Sequence, residues 1–204
     1  MAVISNGTTL IDAGALGASA GAGKMTLIKT LTASNSANLS FVHGASSVIL
    51  DGTYNEYVFK FINIHPVSAS YFQVNFRDGG TNYDATKTTT NFKAQHRENG
   101  SNGFIDYRGD EDLVNSTANQ VLSLDIGVEN DGSGSGEMKL IAPADTTFVK
   151  HFLSKISYLY GADYSMVSHV SGFTTATTAI DGVQFSMVSG NIATGQIKLY
   201  GIGA

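Results

Sequence analysis

The chain has 204 residues and a formal net charge of −5, with 14% charged and 42% hydrophobic residues, 23 glycines and 2 prolines. That length can bury one substantial core, and the composition excludes a disordered chain and predicts a turn-rich globular fold. The few basic residues form no stripe able to follow a phosphate backbone, which argues against nucleic acid as a partner, and the absence of cysteine excludes disulfides and thiolate metal sites.

The opening residues, MAVISNGTTLIDAG, carry neither a basic stretch nor a sustained apolar run, so no secretory signal is expected. No apolar run reaches the length needed to cross a bilayer, and a membrane partner is not expected either. Residues 1–24, rich in Gly, Ala, Ser and Thr, are read as an extended arm outside a single domain formed by residues 25–204. Gly17 to Thr26, GASAGAGKMT, touches two catalytic patterns. The phosphate loop G-x-x-x-x-G-K-[ST] fails because Ala18 stands where its first glycine belongs and Met25 where its hydroxyl belongs. The nucleophile elbow G-x-S-x-G fits in letters through Gly17, Ser19 and Gly21, but it requires a strand before the serine and a helix after it. The residues beyond it, KMTLIKTLTAS, alternate with period two, placing Met25, Leu27 and Leu31 on one face and Thr26, Thr30 and Thr32 on the other. A linker entering a first strand is the reading adopted.

Strand chemistry continues through NLSFVHG and SSVILDG. In YNEYVFKFINIHP, Tyr57, Phe59 and Phe61 alternate with Val58 and Lys60, and in YFQVNFRDGG the alternation is Phe72, Val74, Phe76 before an Asp-Gly-Gly turn. TTTNFKAQH leads to the polar loop RENGSNG, and then come FIDYRG, QVLSLDIGVEN and GEMKLIAP. TTFVKHFLSKISYLYGAD could be a helix through Phe148, Phe152 and Ile156. Strands are preferred, with Phe148, Lys150 and Phe152 on one face and Val149, His151 and Leu153 on the other. At the end, DGVQFSMVSGNIATGQIKLYGIGA predicts a hairpin that buries Val183, Phe185 and Met187 and locks the last strand into a sheet. Many short strands without a fixed repeat predict an all-β, two-sheet antiparallel β-sandwich, jelly-roll-like.

Candidate sites are sparse. His43, His65, His96, His151 and His169 are dispersed and make no H-x-x-x-H pair, so no metal site is expected from them. A Ser-His-Asp triad assembled from Ser19, one Asp and a later His has almost no specificity in so serine-rich a chain. FIDYRGDEDL offers Arg108-Gly109-Asp110, similar to an adhesion tripeptide, and the acids Asp106, Asp110, Glu111 and Asp112. ENDGSGSGE, Glu129 to Glu137, is calcium-like in composition, yet neither stretch has the spacing of a calcium loop. They read as a charged turn and a flexible hairpin loop. Asn6, Asn38, Asn99 and Asn115 begin N-x-[ST] triplets that read as chance. Tyr158, Tyr160 and Tyr164 crowd one segment and are the candidate partner-contact residues, against the plainer reading that most tyrosines fill or cap the core.

YNEYVFKFINIHP, FQVNF, TTFVKHF and the closing AIDGVQFSMVSGNIATGQIKLYGI together resemble a group of structural proteins of tailed bacteriophages, marine phages among them. The similarity runs over nearly the whole chain, and G-N-I-x-x-G-x-I-K-L-Y-G is its most distinctive part. No catalytic motif and no cofactor come with it. The resemblance implies a non-enzymatic virion component made in the cytoplasm of an infected bacterium. Chiefly this would be a capsid decoration or cement protein, or a head fibre, in contact with further copies of itself and with other virion proteins such as the major capsid protein. The alternative is a tail-fibre or receptor-binding module, often a trimer, that recognises a host surface glycan or protein. A hydrolase using Ser19 or a carboxylate pair is the third hypothesis.

Overall fold

The computed structural model describes residues 3–5, 8–12, 15–16, 25–161 and 163–203. Its strands, in chain order, are β1 (Val3–Ser5), β2 (Thr8–Asp12), β3 (Ala15–Leu16), β4 (Met25–Ser36), β5 (Asn38–Val42), β6 (Glu56–Pro66), β7 (Ser70–Arg77), β8 (Lys87–Arg97), β9 (Phe104–Tyr107), β10 (Gln120–Ile126), β11 (Gly134–Ile141), β12 (His151–Tyr160), β13 (Tyr164–Thr174), β14 (Gly182–Met187) and β15 (Ile192–Ile202). The fold is all-β, and helical geometry among the described residues is limited to a 3-10 turn, Gly109–Glu111.

Eight of these strands pair as a nested series, β4 with β15, β5 with β14, β6 with β11 and β7 with β10, all antiparallel. Such nesting describes one long two-stranded ribbon. Folding the ribbon over on itself brings β15 beside β6 and β14 beside β7. The result is a β-sandwich of two sheets, β4-β15-β6-β11 and β5-β14-β7-β10, with the connectivity of a jelly roll.

The other four strands are two hairpin insertions, β8-β9 between β7 and β10, and β12-β13 between β11 and β14. They pair in the order β11-β12-β13-β8-β9, so they widen only the first sheet, to eight strands. The second keeps its four. The sheets nearly close on each other. At one edge a pairing of Ile126 with Tyr160 joins β10 to β12, and at the other β4 runs on into β5 through a bend at Ala37.

The core between the sheets is aromatic. The Phe185 ring of the smaller sheet stacks on Phe72 at 5.8 Å and meets Phe59 and Phe61 of the larger sheet at 5.4 and 5.2 Å. Phe41 packs edge-on against Phe59 at 5.3 Å. Tyr57, Phe59 and Phe61 are buried, as are Phe72, Val74 and Phe76, and Val183, Phe185 and Met187, so the alternation in these three strands is realised as core packing.

Five expectations change. SSVILDG is a loop, although Val48 and Leu50 are buried and Ile49 is half exposed as in a strand. Ser46 and Ser47 have φ of 50° and 66°, and the backbone turns back through bonds from Gly44 N to Val48 O and from Val48 N to Ala45 O. Second, Met25 and Leu27 are exposed. The ladder shifts between Leu199, which pairs with Lys29, and Tyr200, which pairs with Leu27, so Ile28 is an extra residue that reverses the face of everything before it.

Third, the terminal strands form no hairpin. β14 pairs with β5 and β7 whereas β15 pairs with β4 and β6, and the intervening turn crosses between sheets. Fourth, ENDGSGSGE likewise joins strands of different sheets, and its second half lies in β11. Glycine is needed there, because a Cβ on Gly136 would sit 2.1 Å from the Lys155 carbonyl oxygen of β12. Fifth, Phe148 is exposed while Lys150 and Phe152 are buried, because β12 begins only at His151.

Within residues 1–24, β1, β2 and β3 form their own antiparallel sheet, which among the described residues shares no ladder with the sandwich. A chain lacking residues 1–24 is therefore expected to keep the circular dichroism spectrum and the single cooperative melt of the sandwich. Phe185→Ala, by contrast, is expected to lower stability by about 3–5 kcal/mol in denaturant unfolding.

Candidate functional site

The insertions extend one sheet beyond the edge of the other, and this determines the chemistry of β8. Pairing places Lys87, Thr89, Asn91, Lys93 and Gln95 on the side that faces inward, in register with Thr174, Gly172, Val170, Ser168 and Met166. No apolar sheet lies opposite, and this face is polar. Lys87, Thr89, Asn91 and Lys93 are all buried.

Residues 108–119 satisfy part of that face. They first run along the edge of β8, where Arg108 N donates to Asn91 O, Thr89 N to Leu113 O, and Lys87 and Ser116 exchange both backbone bonds. They then cross to β10. The Thr89 hydroxyl donates to Gln120 Oε1 at 2.5 Å and accepts from Leu113 N, and Lys87 Nζ donates to the carbonyls of Ala85 and Ala118 at 2.9 and 2.7 Å. Buried Asn91 Oδ1, Arg108 Nε, Asp112 Oδ1 and Ser123 Oγ have no hydrogen-bond partner among the described residues. Such atoms concentrate where polar residues are enclosed without a matching partner layer.

Beside the start of this segment, the overhang stays open as a cleft of about 370 Å3. Its floor is Leu124 and Met166, and its rim is aromatic, from Tyr71 of β7, Tyr160 of β12, Tyr164 of β13 and Phe104 of β9. The Tyr160 and Tyr164 rings meet edge-on at 6.0 Å. Arg97 lies over the Tyr164 ring at 5.4 Å, and Asn102 donates to its hydroxyl at 3.2 Å. Lys93, Gln95 and Arg108 supply the polar wall. Lys93 Nζ donates to Gln95 Oε1 at 2.7 Å and lies 5.3 Å from the centre of the Phe104 ring. Burial, reinforced by Arg108, pushes the Lys93 ammonium below its ordinary pKa against the opposing pull of Asp106. Burial raises the Tyr71 phenol, with Asp125 and Glu111 adding to the effect, and burial also raises Asp125.

The second candidate is the opposite, outward face of the same strands. There Lys155, His169, Phe92 and Tyr107 align in register across four strands, and Ser157, Val167, Ala94 and Ile105 form the next row. Phe92 and His169 stack with parallel planes at 4.9 Å. Ile105 is 76% and Tyr107 64% exposed, and Leu153 is exposed as well. Lys60 pairs with Glu137, and Lys139 with Glu56 at 2.8 Å, beside this apolar stretch.

Of the three candidate tyrosines, Tyr158 is 4% exposed, and its hydroxyl accepts from Leu124 N and is bonded to Ser168 Oγ, which makes it a core residue. Tyr160 and Tyr164 stand at the cleft. The acids of FIDYRGDEDL surround Arg108, whose Nη2 donates to Asp110 and Glu111 at 3.0 and 3.2 Å, with Asp106 3.6 Å from Nη1. Tyr107 donates to Asp112. The tripeptide guanidinium is thereby tied within the chain. The five histidines lie apart in the loop after β5 and in β6, β8, β12 and β13, and no group of three or more His, Asp or Glu among the described residues could hold a metal ion. Ser19 and the glycines around it lie outside the described residues. No described helix is long and apolar enough to cross a membrane. The overhang was not readable in the sequence, although the inward KxTxNxKxQ alternation of β8 carried its signature. The chain matches no protein-family model, no curated protein and no solved structure.

The buried lysine of this region gives a pH test. Burial lowers the Lys87 ammonium from 10.5 to about 8. Between those values the unfolded chain holds a proton that the folded chain has released, so this group makes stability rise with pH. Neutral Lys87 keeps two N–H donors for its two carbonyls. Thermal melts of wild type and Lys87→Met across that window are expected to show a pH-dependent gain in the wild type that the variant lacks.

Proposed function

We propose that the chain is a non-enzymatic structural protein of a tailed-bacteriophage virion, acting as a capsid decoration or cement protein through contacts with further copies of itself and with the major capsid protein. The observation that carries this reading is the outward face of β12, β13, β8 and β9. Phe92, Ile105, Tyr107 and Leu153 are presented there on a regular antiparallel sheet whose edge strand is β9. Apolar and aromatic groups held on a rigid surface, with charged groups beside them, suit a protein interface better than a reaction site. The sequence resemblance supports the virion setting, and the repeated contacts of a shell supply the symmetry that such a surface can use.

Immunogold labelling of intact particles of the encoding phage is expected to place gold over the head. Gold confined to the tail tip would replace decoration by host recognition, and unlabelled particles would overturn the virion reading. In solution, Ile105→Asp combined with Phe92→Asp is expected to weaken self-association by roughly tenfold or more, about 1.4 kcal/mol, in sedimentation equilibrium. The melting profile of that double variant should remain cooperative.

A further inference from the structure

We infer that the cleft beneath the overhang is a saccharide-binding site that takes one or two units of a neutral glycan. The inference rests on the geometry of the cleft and is independent of where the protein sits on a particle. A pyranose ring presents apolar C–H faces flanked by hydroxyls that both donate and accept, and the cleft offers a partner for each. The rings of Phe104, Tyr160 and Tyr164 supply faces and edges for the C–H surfaces. Lys93 Nζ has three donors and gives one to Gln95. With Gln95 Oε1 so occupied, the Gln95 amide nitrogen is a further donor, and the tyrosine hydroxyls can donate or accept.

Charge selects among ligands. Lys93 and Arg108 are the cations of the wall, but Asp106, Asp110 and Glu111 lie against Arg108, so the site holds no surplus positive charge for a phosphate or sulfate group. The exposed ends of these same ionic groups disfavour a purely apolar ligand. A volume of about 370 Å3 lies at the small end of ligand pockets and fits a short segment of a longer glycan. Strands β7, β8, β9, β10, β12 and β13 contribute the side chains, so most of the site is held on paired backbone.

The test uses the full chain and saturation-transfer NMR with maltotetraose, cellotetraose, laminaritetraose and galactobiose at millimolar concentration, with inorganic phosphate as the ionic control. At least one saccharide is expected to receive saturation and to shift the ring resonances of Tyr160 and Tyr164. Phe104→Ala and Lys93→Gln should each weaken that binding by roughly tenfold or more. Ile105→Ala, next to Phe104 in the chain but on the opposite face, should leave it unchanged. Absence of transfer to every saccharide overturns the inference, as does binding that survives both cleft substitutions. Stronger perturbation of the same rings by phosphate than by any sugar would also overturn it. None of these results bears on gold labelling of the head, so this inference and the decoration reading fail separately.

Discussion

The constraint on which the rest of this structure depends is the unequal width of its two sheets. A jelly roll balances itself, because its nested strand pairs alternate between the two layers, two pairs to each. Here the two inserted hairpins join only the sheet that contains β11, and while Met166 and Val170 of β13 still reach the core, the inner side of β8 and β9 is left without an apolar layer to pack on. Burial of apolar side chains there would have no partner surface. The inward positions of β8 accordingly carry lysine, threonine, asparagine and glutamine, and residues 108–119 are drawn across to supply backbone carbonyls and N–H groups in place of methyl groups.

Two buried ammonium groups show how this is stabilised. Lys87 closes on the carbonyls of Ala85 and Ala118, and Lys150 on those of Phe148 and Thr177, at 3.1 and 2.5 Å. Neither has a carboxylate within salt-bridge distance among the described residues. Removing an ammonium from water is costly, so each is retained only because it ties together loops that have no strand partner. Lys87 and Lys150 meet through Thr174, which pairs with Lys87 in the ladder, donates its backbone N–H to Lys150 O and accepts from Lys150 N at its hydroxyl. The two charges thus fasten one end of the overhang, and the cleft occupies the other.

Sequence periodicity revealed the strands whose two faces differ most in polarity. Tyr57 to Phe61, Phe72 to Phe76 and Val183 to Met187 are legible because one face of each meets the aromatic core. Where the same periodicity failed, the cause was local backbone geometry or pairing at long range. Val48 and Leu50 alternate like a strand but have no ladder, because two successive left-handed serines turn the chain. The extra residue at Ile28 reverses a face without altering composition. The closing strands look like a hairpin by spacing alone, and nothing in that spacing tells which sheet each will join. Tyr158, Tyr160 and Tyr164 are similar in sequence, yet one is sealed in the core and two stand at the cleft. What separates them is where β10 ends beneath them.

The two candidate surfaces arise from one alternation. In β8 the odd positions from 87 to 95 face a polar interior, so the apolar character of the strand passes to the even positions, where Phe92 and Ala94 face out beside His169 and Val167. In β9 the same parity sends Phe104 and Asp106 inward to the cleft and Ile105 and Tyr107 outward. An ordinary sandwich strand would have the reverse pattern, with its apolar side hidden and its polar side in water. The inversion puts a polar, aromatic-rimmed recess and an apolar outer surface back to back, separated only by the thickness of a sheet. A substitution at one position of β9 therefore alters one surface, and a substitution at its neighbour alters the other.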